Sequence, residues 1–317
     1  MRTPSYWNKK NLISYFLLPF GVVYAFATSR RVSKPSKQAD KKVICVGNLT
    51  AGGSGKTPVA ISIVGLLREL GYNPAFVSRG YGGKIKGVMV DPKIHTAHDV
   101  GDEPMVLARI APVSINPDRY KAAEKAIAEG ADIIVMDDGY QNPTLKKDIS
   151  FLVFDGDFGI GNGFPIPAGP MRENFEEGLE RASAAMIIGD DTHHLSSKLR
   201  PLPVFYGRVE PVKPKEIKNK KIIAFAGIGR PEKFYHSLRE AGFDVLETKD
   251  FPDHYCYTKK ELNDLLFKAR KLGADIYTTS KDYVKIPTDL QPNFKILEIK
   301  INWGYDKKLR DFIEAML

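Results

Sequence analysis

At 317 residues the chain is long enough to bury two cores of ordinary size, and it is no peptide-scale binder. Its net charge of +9 calls for an anionic partner: a nucleic acid, an anionic membrane or a phosphorylated substrate. Basic–aromatic interleaving, zinc-knuckle spacing and basic heptads are missing, which argues against nucleic acid, and the two isolated cysteines, Cys45 and Cys256, fit a reducing compartment without thiolate metal sites.

Residues 12–28 form an uncharged apolar stretch flanked by Lys9 and Lys10 before it and Arg30, Arg31, Lys34 and Lys37 after it. It is short for a spanning helix and contains Pro19 and Gly21. A cleaved signal peptide, a buried core helix and a membrane-surface anchor all compete. The anchor is favoured, because Trp7, Tyr15 and Tyr24 suit an interface and the basic flanks suit anionic headgroups.

The strand predicted at 43–46 runs into Gly47-Asn-Leu-Thr-Ala-Gly-Gly-Ser-Gly-Lys-Thr-Pro58 and then an apolar-periodic helix to Leu70. Strand, glycine-rich turn and helix make a phosphate loop. Glycines 52, 53 and 55 let backbone N–H groups reach phosphate oxygens, and the helix N-terminus adds its dipole. The segment Thr50, Ala51, Gly52, Gly53, Ser54, Gly55, Lys56, Thr57 is therefore the expected ATP site, with Lys56 on the β/γ-phosphates and Thr57 on Mg²⁺. Thr50 stands where the strict pattern has glycine.

A second strand at 75–77 leads into Ser78-Arg-Gly-Tyr-Gly-Gly83. Its carboxyl end should lie beside the phosphate loop, making Arg79 and Tyr81 candidate substrate contacts. Gly101-Asp-Glu-Pro104 opens a helix whose carboxylates, Asp102 and Glu103, either cap it or supply the base of a phosphoryl transfer. Asn116-Pro-Asp-Arg-Tyr120 precedes another helix. The strand at 133–136 then ends in Asp137 and Asp138, the way a second phosphate-loop element holds Mg²⁺. Strands follow at 149–154 and 185–188, around a Gly/Pro-rich loop over 161–173 whose length marks it as functional. Lys and Pro enrichment over 211–221 reads as an interdomain connection, followed by strands at 222–226, 276–279 and 295–301 and helices at 231–241 and 259–272. His254, after Asp253 in a loop, is either a solvated surface residue or the partner that tunes and orients a carboxylate base. The expected architecture is α/β: a phosphate-loop NTPase-like, largely parallel sheet domain over 29–210, a smaller α/β domain over 211–317 closing over the site, and an apolar anchor helix within 1–28.

Several ordered stretches together resemble one family, the tetraacyldisaccharide 4'-kinases of lipid A biosynthesis in Gram-negative bacteria. They are the phosphate loop, Ser78–Gly83, Gly101–Pro104, Asp137-Asp-Gly139 with Gln141, Pro167-Ala-Gly-Pro-Met-Arg-Glu173, Asp253-His254 and Lys281-Asp282. The resemblance implies transfer of the ATP γ-phosphoryl group to the 4'-hydroxyl of a tetraacylated glucosamine disaccharide 1-phosphate, at the cytoplasmic face of the inner membrane, with no nucleic acid or protein partner. By matching motif, Asp102 is the base and His254 its partner, with Lys56 in the catalytic set. Thr57, Asp137, Asp138 and Glu173 serve the metal, and Tyr81, Glu103, Arg119 and Arg172 meet the substrate. One departure is Asn142, where the family often has histidine after the glutamine. Two other classes compete. A membrane-switch ATPase would carry lysine at Ala51, and a kinase of a small soluble metabolite would leave the apolar N-terminus unused.

Overall fold

A computed structural model describes residues 4–212 and 219–317, so most of the expected interdomain connection lies outside the described residues. In chain order the elements are α1 (Leu12–Val32), β1 (Lys42–Gly47), α2 (Lys56–Glu69), β2 (Pro74–Ser78), β3 (Val88–Met89), α3 (Ala97–Val100), α4 (Asp102–Ala108), β4 (Val113–Ile115), α5 (Arg119–Ala128), β5 (Ile133–Asp137), β6 (Ile149–Asp155) and α6 (Phe175–Leu179). They continue with β7 (Ala184–Ile188), α7 (Leu195–Lys198), β8 (Val204–Pro211), β9 (Lys221–Ala226), α8 (Pro231–Glu240), β10 (Asp244–Asp250), α9 (Lys259–Leu272), β11 (Asp275–Thr278), α10 (Ser280–Tyr283), β12 (Lys295–Ile296), β13 (Ile299–Asn302) and α11 (Asp306–Met316).

Among the described residues the strands form two sheets. The larger runs β13-β8-β7-β6-β1-β5-β2-β4-β3 and the smaller β10-β9-β11-β12. Only β13 and β3, the two edges of the larger sheet, pair antiparallel with their neighbours. β1 lies between β6 and β5 and is sealed on both faces. Ile44 and Val46 join a cluster with Val59, Ile63 and Leu67 of α2, whereas Val43 and Cys45 face the opposite layer with Ala122 and Ala126 of α5. Burial on both faces is why β1 reads as an unbroken apolar run rather than an alternating one.

The C-terminal strand departs from expectation. The single strand predicted over 295–301 is two. β12 pairs with β11 in the small sheet, the chain turns at buried Leu297, and β13 pairs with β8 at the edge of the large sheet. The chain beyond 298, expected to lie wholly in the second domain, thus returns to the first. Trp303 seals the return: it is buried with Leu309 and Ile313 of α11 in the α2 cluster, and its indole N–H donates to Ser62 Oγ at 2.8 Å. Strands β3, β4, β8 and β10 have no counterpart in the sequence pattern, because they are short or lie at or near sheet edges, where exposed charged residues break the apolar pattern, as in β10.

α1 is not a core helix. Leu12, Phe16, Phe20, Val23 and Phe26 are exposed, while Ser14, Gly21 and Thr28 form the narrow buried face. The helix is long and apolar enough to cross a membrane by length and composition. Its buried face rests on the 161–173 loop, where a Cβ on Gly21 would sit 2.9 Å from Pro165 O, and the turn preceding the helix is held to the same loop: Trp7 Nε1 donates to Pro167 O and Asn162 Nδ2 to Tyr6 O, both at 3.0 Å. That loop in turn braces the phosphate loop, with Ala51 N donating to Pro170 O and Arg172 N to Leu49 O, both at 2.7 Å.

Trp303→Ala would empty a large buried site and orphan the Ser62 contact. It is expected to cost about 3–5 kcal/mol, measured as a lowered urea midpoint of the unfolding transition that includes α2.

Candidate active site

The phosphate loop is held from inside by Asn48, whose amide donates to Thr50 O at 2.6 Å and Ser54 Oγ at 2.9 Å. α2 begins immediately after it, with Lys56 and Thr57 in its first turn. β5 pairs in register with β1, Val46 opposite Asp137, so the two strand ends deliver Thr57 and Asp137 to one spot. Thr57 Oγ1 donates to Asp137 Oδ2 at 3.0 Å, and Asp137 Oδ1 is buried with no hydrogen-bond partner among the described residues. Burial, then the charges of Glu103 and Asp138, push the Asp137 carboxyl up. A hydroxyl beside a buried carboxylate with an unspent oxygen is a hard-donor set that suits Mg²⁺. Among the described residues no three His, Cys, Asp or Glu side chains are grouped as a metal cage.

Asp138 adopts a left-handed backbone (φ 49°), uncommon for a residue with a side chain. Its carboxylate accepts from Arg172 NH1 at 2.8 Å and lies 3.8 Å from Lys56 Nζ. Burial raises its pKa, but Lys56 and Arg172 outweigh that and leave it below the usual range. Burial lowers Lys56, with Asp138 opposing. Glu173 makes its hydrogen bonds to Gln141 and Arg181 rather than to Thr57 or Asp137. It is 1% exposed, with one oxygen accepting from Gln141 Nε2 at 2.8 Å and the other paired with Arg181. Gln141 also donates to Asn48 O at 2.8 Å, so this cluster supports the phosphate loop from behind.

Opposite lies a second cluster, built across the two sheets. Gly101 separates α3 from α4. A Cβ there would sit 2.3 Å from Tyr81 O, so glycine lets the 80–83 loop close against the start of α4. The smaller unit contributes His254, also left-handed (φ 60°), whose Nδ1 is 2.9 Å from Asp102 Oδ2 and whose ring packs edge-on to Tyr81 at 5.9 Å. Burial raises Asp102, but the His254 hydrogen bond and then Lys281 outweigh it and hold the carboxyl below its ordinary value. The same hydrogen bond raises His254. Glu103 lies 3.6 Å from Lys281 Nζ. Arg119, 3% exposed at the start of α5, donates through NH1 to Asn116 O at 2.8 Å, while its Nε has no partner among the described residues. Burial, then Arg79, pull it down to about 10.

The family model for tetraacyldisaccharide-1-P 4'-kinase, LpxK, matches residues 13–317. The chain belongs to that family. It is 44% identical to the tetraacyldisaccharide 4'-kinase of Rhodospirillum rubrum, over 95% of this chain and 93% of that protein. It is 42% identical to that of Gluconobacter oxydans, over 99% and 98%. Among solved structures it is similar to LpxK from Aquifex aeolicus in its "apo" form in complex with ATP, at 27% identity and a TM-score of 0.76, covering 96% of this chain and 99% of that one.

Within this LpxK-family chain the motifs fall into two groups: Lys56, Thr57, Asp137, Asp138 and Arg172 around the phosphate loop, and Tyr81, Asp102, Glu103 and His254 facing it. Asn48 and Gln141 had no assigned role in the sequence reading, and only their hydrogen bonds reveal one. Gly101→Ala is expected to destabilise the chain by about 1–3 kcal/mol and to lower turnover by forcing the 80–83 loop, with the Tyr81 ring that packs on His254, from the start of α4, read from urea midpoints and steady-state rates.

Proposed function

We propose that this chain transfers the γ-phosphoryl group of ATP to the 4'-hydroxyl of a tetraacylated glucosamine disaccharide 1-phosphate, a step of lipid A biosynthesis. The observation that carries the reading is the Asp102–His254 pair facing the phosphate loop, in a chain of this family. A carboxylate held ionised, with one oxygen on a histidine N–H, leaves the other oxygen to accept the substrate hydroxyl proton. As that proton moves to Asp102, the substrate oxygen bonds to the γ-phosphorus, the bond to the β–γ bridging oxygen breaks, and its electron pair leaves on ADP.

Lys56 and the loop N–H groups are the proposed phosphate contacts, and Thr57 and Asp137 would hold Mg²⁺, with Asp138 beside them. When bound, the cation neutralises charge on the transferring phosphoryl group. Asp138 fixes Lys56 and Arg172 at the edge of the site, and Tyr81, Arg119 and Arg172 are the proposed contacts to the anionic sugar headgroup. Because His254 belongs to the smaller unit and Asp102 to the larger, the two units coming together completes the base. Closure would also exclude water, which otherwise competes for the phosphoryl group.

We place the chain at the cytoplasmic face of the inner membrane. The exposed apolar side of α1, with Lys9, Lys10, Arg30 and Arg31 at its ends, suits insertion among acyl chains beneath anionic headgroups, where an acylated substrate resides.

Mg²⁺-dependent transfer of label from γ-labelled ATP to the tetraacyldisaccharide 1-phosphate in detergent micelles tests the reaction; vesicle-stimulated ATP hydrolysis without lipid labelling would refute it. Asp102→Ala is expected to lower kcat by about 10²- to 10⁴-fold with the KM for ATP little changed. In the wild type, lowering the pH protonates His254, whose positive charge beside Asp102 weakens the base. Turnover should therefore rise with pH through a midpoint above the ordinary histidine value, and this limb should be absent from His254→Ala. Replacing Phe16 and Phe20 together by aspartate should abolish co-sedimentation with anionic vesicles while leaving nucleotide binding intact.

A further inference from the structure

α10 carries a lysine to which the reading above gives no role. The end of β11 is bolted in place: Thr279 Oγ1 accepts from Asp282 N at 3.1 Å, and the Asp282 carboxylate, fully buried, accepts from Gly227 N at 3.0 Å, Tyr257 OH and Thr279 Oγ1, both at 2.7 Å, and Lys285 at 2.8 Å. This anchoring aims the neighbouring Lys281 back toward the larger unit. Its Nζ lies 3.3 Å from His254 Nε2 and 3.6 Å from both Glu103 Oε1 and Asp253 Oδ1.

A lysine ammonium donates hydrogen bonds and accepts none. Burial lowers Lys281, but Glu103, Asp253 and Asp102 outweigh it and hold the side chain charged. His254 Nε2 must then be the acceptor, and the ring proton sits on Nδ1, where it donates to Asp102 Oδ2. An imidazolium would instead point an N–H at the ammonium.

We propose that Lys281 is the positioning residue of the catalytic base: it fixes His254 in the neutral Nδ1–H tautomer, which orients Asp102 and leaves its second oxygen free for the substrate proton. His254 is faced by Asp102 and Glu103 from α4, Tyr81 from the loop after β2, Asp253 from its own loop, and Lys281, with Lys285 beyond it, from α10 and its C-terminal end. Against these carboxylates, all of which favour the imidazolium, Lys281 is the direct cationic neighbour opposing it. It also ties α10 to Glu103, so the same ammonium reports that the two units are together. Sequence places Lys281 just past the carboxyl end of a parallel strand, where α/β sheets collect ligand-binding groups, and within one of the stretches that carry the family resemblance.

The inference rests on the phosphoryl-transfer reading, and full-length protein in detergent micelles separates the two. Lys281→Met removes charge and donor while keeping most of the volume. It is expected to lower kcat about tenfold near neutral pH and to move the acid limb of the pH profile up by about one unit, with the KM for ATP little changed. Lys281→Arg should restore most of both. A Lys281→Met profile whose limb superimposes on that of the wild type would overturn the assignment. Independently of substrate, ¹⁵N-labelled His254 in the wild type should give the Nδ1–H signature above the limb, and an Nε2–H signature there would overturn it even if Lys281→Met fails to fold. Failure of the wild type to label the lipid would remove the reaction assignment, and the tautomer measurement would still decide the Lys281 one.

Discussion

The in-register pairing of β1 with β5 is the constraint from which the phosphate-handling half of the site follows. Val46 opposite Asp137 means that the strand entering the phosphate loop and the strand ending in two aspartates stop at the same level. A slip of one residue would turn Asp137 away from Thr57 and point it into the opposite layer, because successive side chains alternate faces. Both faces of these strands are buried, so the apolar packing that stabilises the sheet also forbids the slip. Site geometry is in this sense a by-product of core packing, with the 3.0 Å contact from Thr57 to Asp137 as its readout.

The 161–173 loop works by a different principle. It has little regular structure, yet it contacts α1 at Gly21 and the turn before α1 at Tyr6 and Trp7 on one side, and the phosphate loop on the other through Pro170 and Arg172. A loop of this length stays ordered only when its backbone groups find partners, and here those partners are the apolar N-terminal helix and the nucleotide-binding segment. The apolar helix is thereby built onto the site rather than tethered to it.

These two features explain what could be read without coordinates. β1, β5, β6 and β7 are apolar runs bounded by glycine or acid, and α2 and α9 are amphipathic with clear stops, so their positions follow from residue pattern. Lys56 and Thr57 follow from the phosphate-loop pattern at a helix start, and Asp137 and Asp138 from the acids that close an apolar strand. The C-terminal sheet switch did not follow. Nothing in the pattern of 295–301 distinguishes one strand from two that pair in different sheets; the division depends on Trp303 finding Ser62 across a long separation in sequence. Glu173 shows the same limit. An acid in a motif near a metal candidate reads as a ligand, and only the fold shows that Gln141 donates to one of its oxygens while Arg181 pairs with the other. Residue type states what a side chain can bond; only the fold states what it does bond.

The two carboxylates at the centre of the site show how environment divides labour between chemically identical groups. Asp137 is pushed up by burial and by like charges at Glu103 and Asp138, so its ionised form is incomplete without a cation, and the Thr57 hydroxyl beside it does not supply one. Asp102 is also partly buried, yet His254 and Lys281 hold it down, so it is ionised without any metal. A depressed pKa makes Asp102 a modest base, which suits phosphoryl transfer: in a loose transition state the nucleophile's proton leaves late, when the oxygen has become far more acidic than a free hydroxyl. The group that needs a cation lies at the phosphate loop, and the group that needs none lies across from it. Divergent pKa values of this kind are what the proposed division between a metal-holding carboxylate and a proton-accepting one requires, and residues drawn from both sheets produce them.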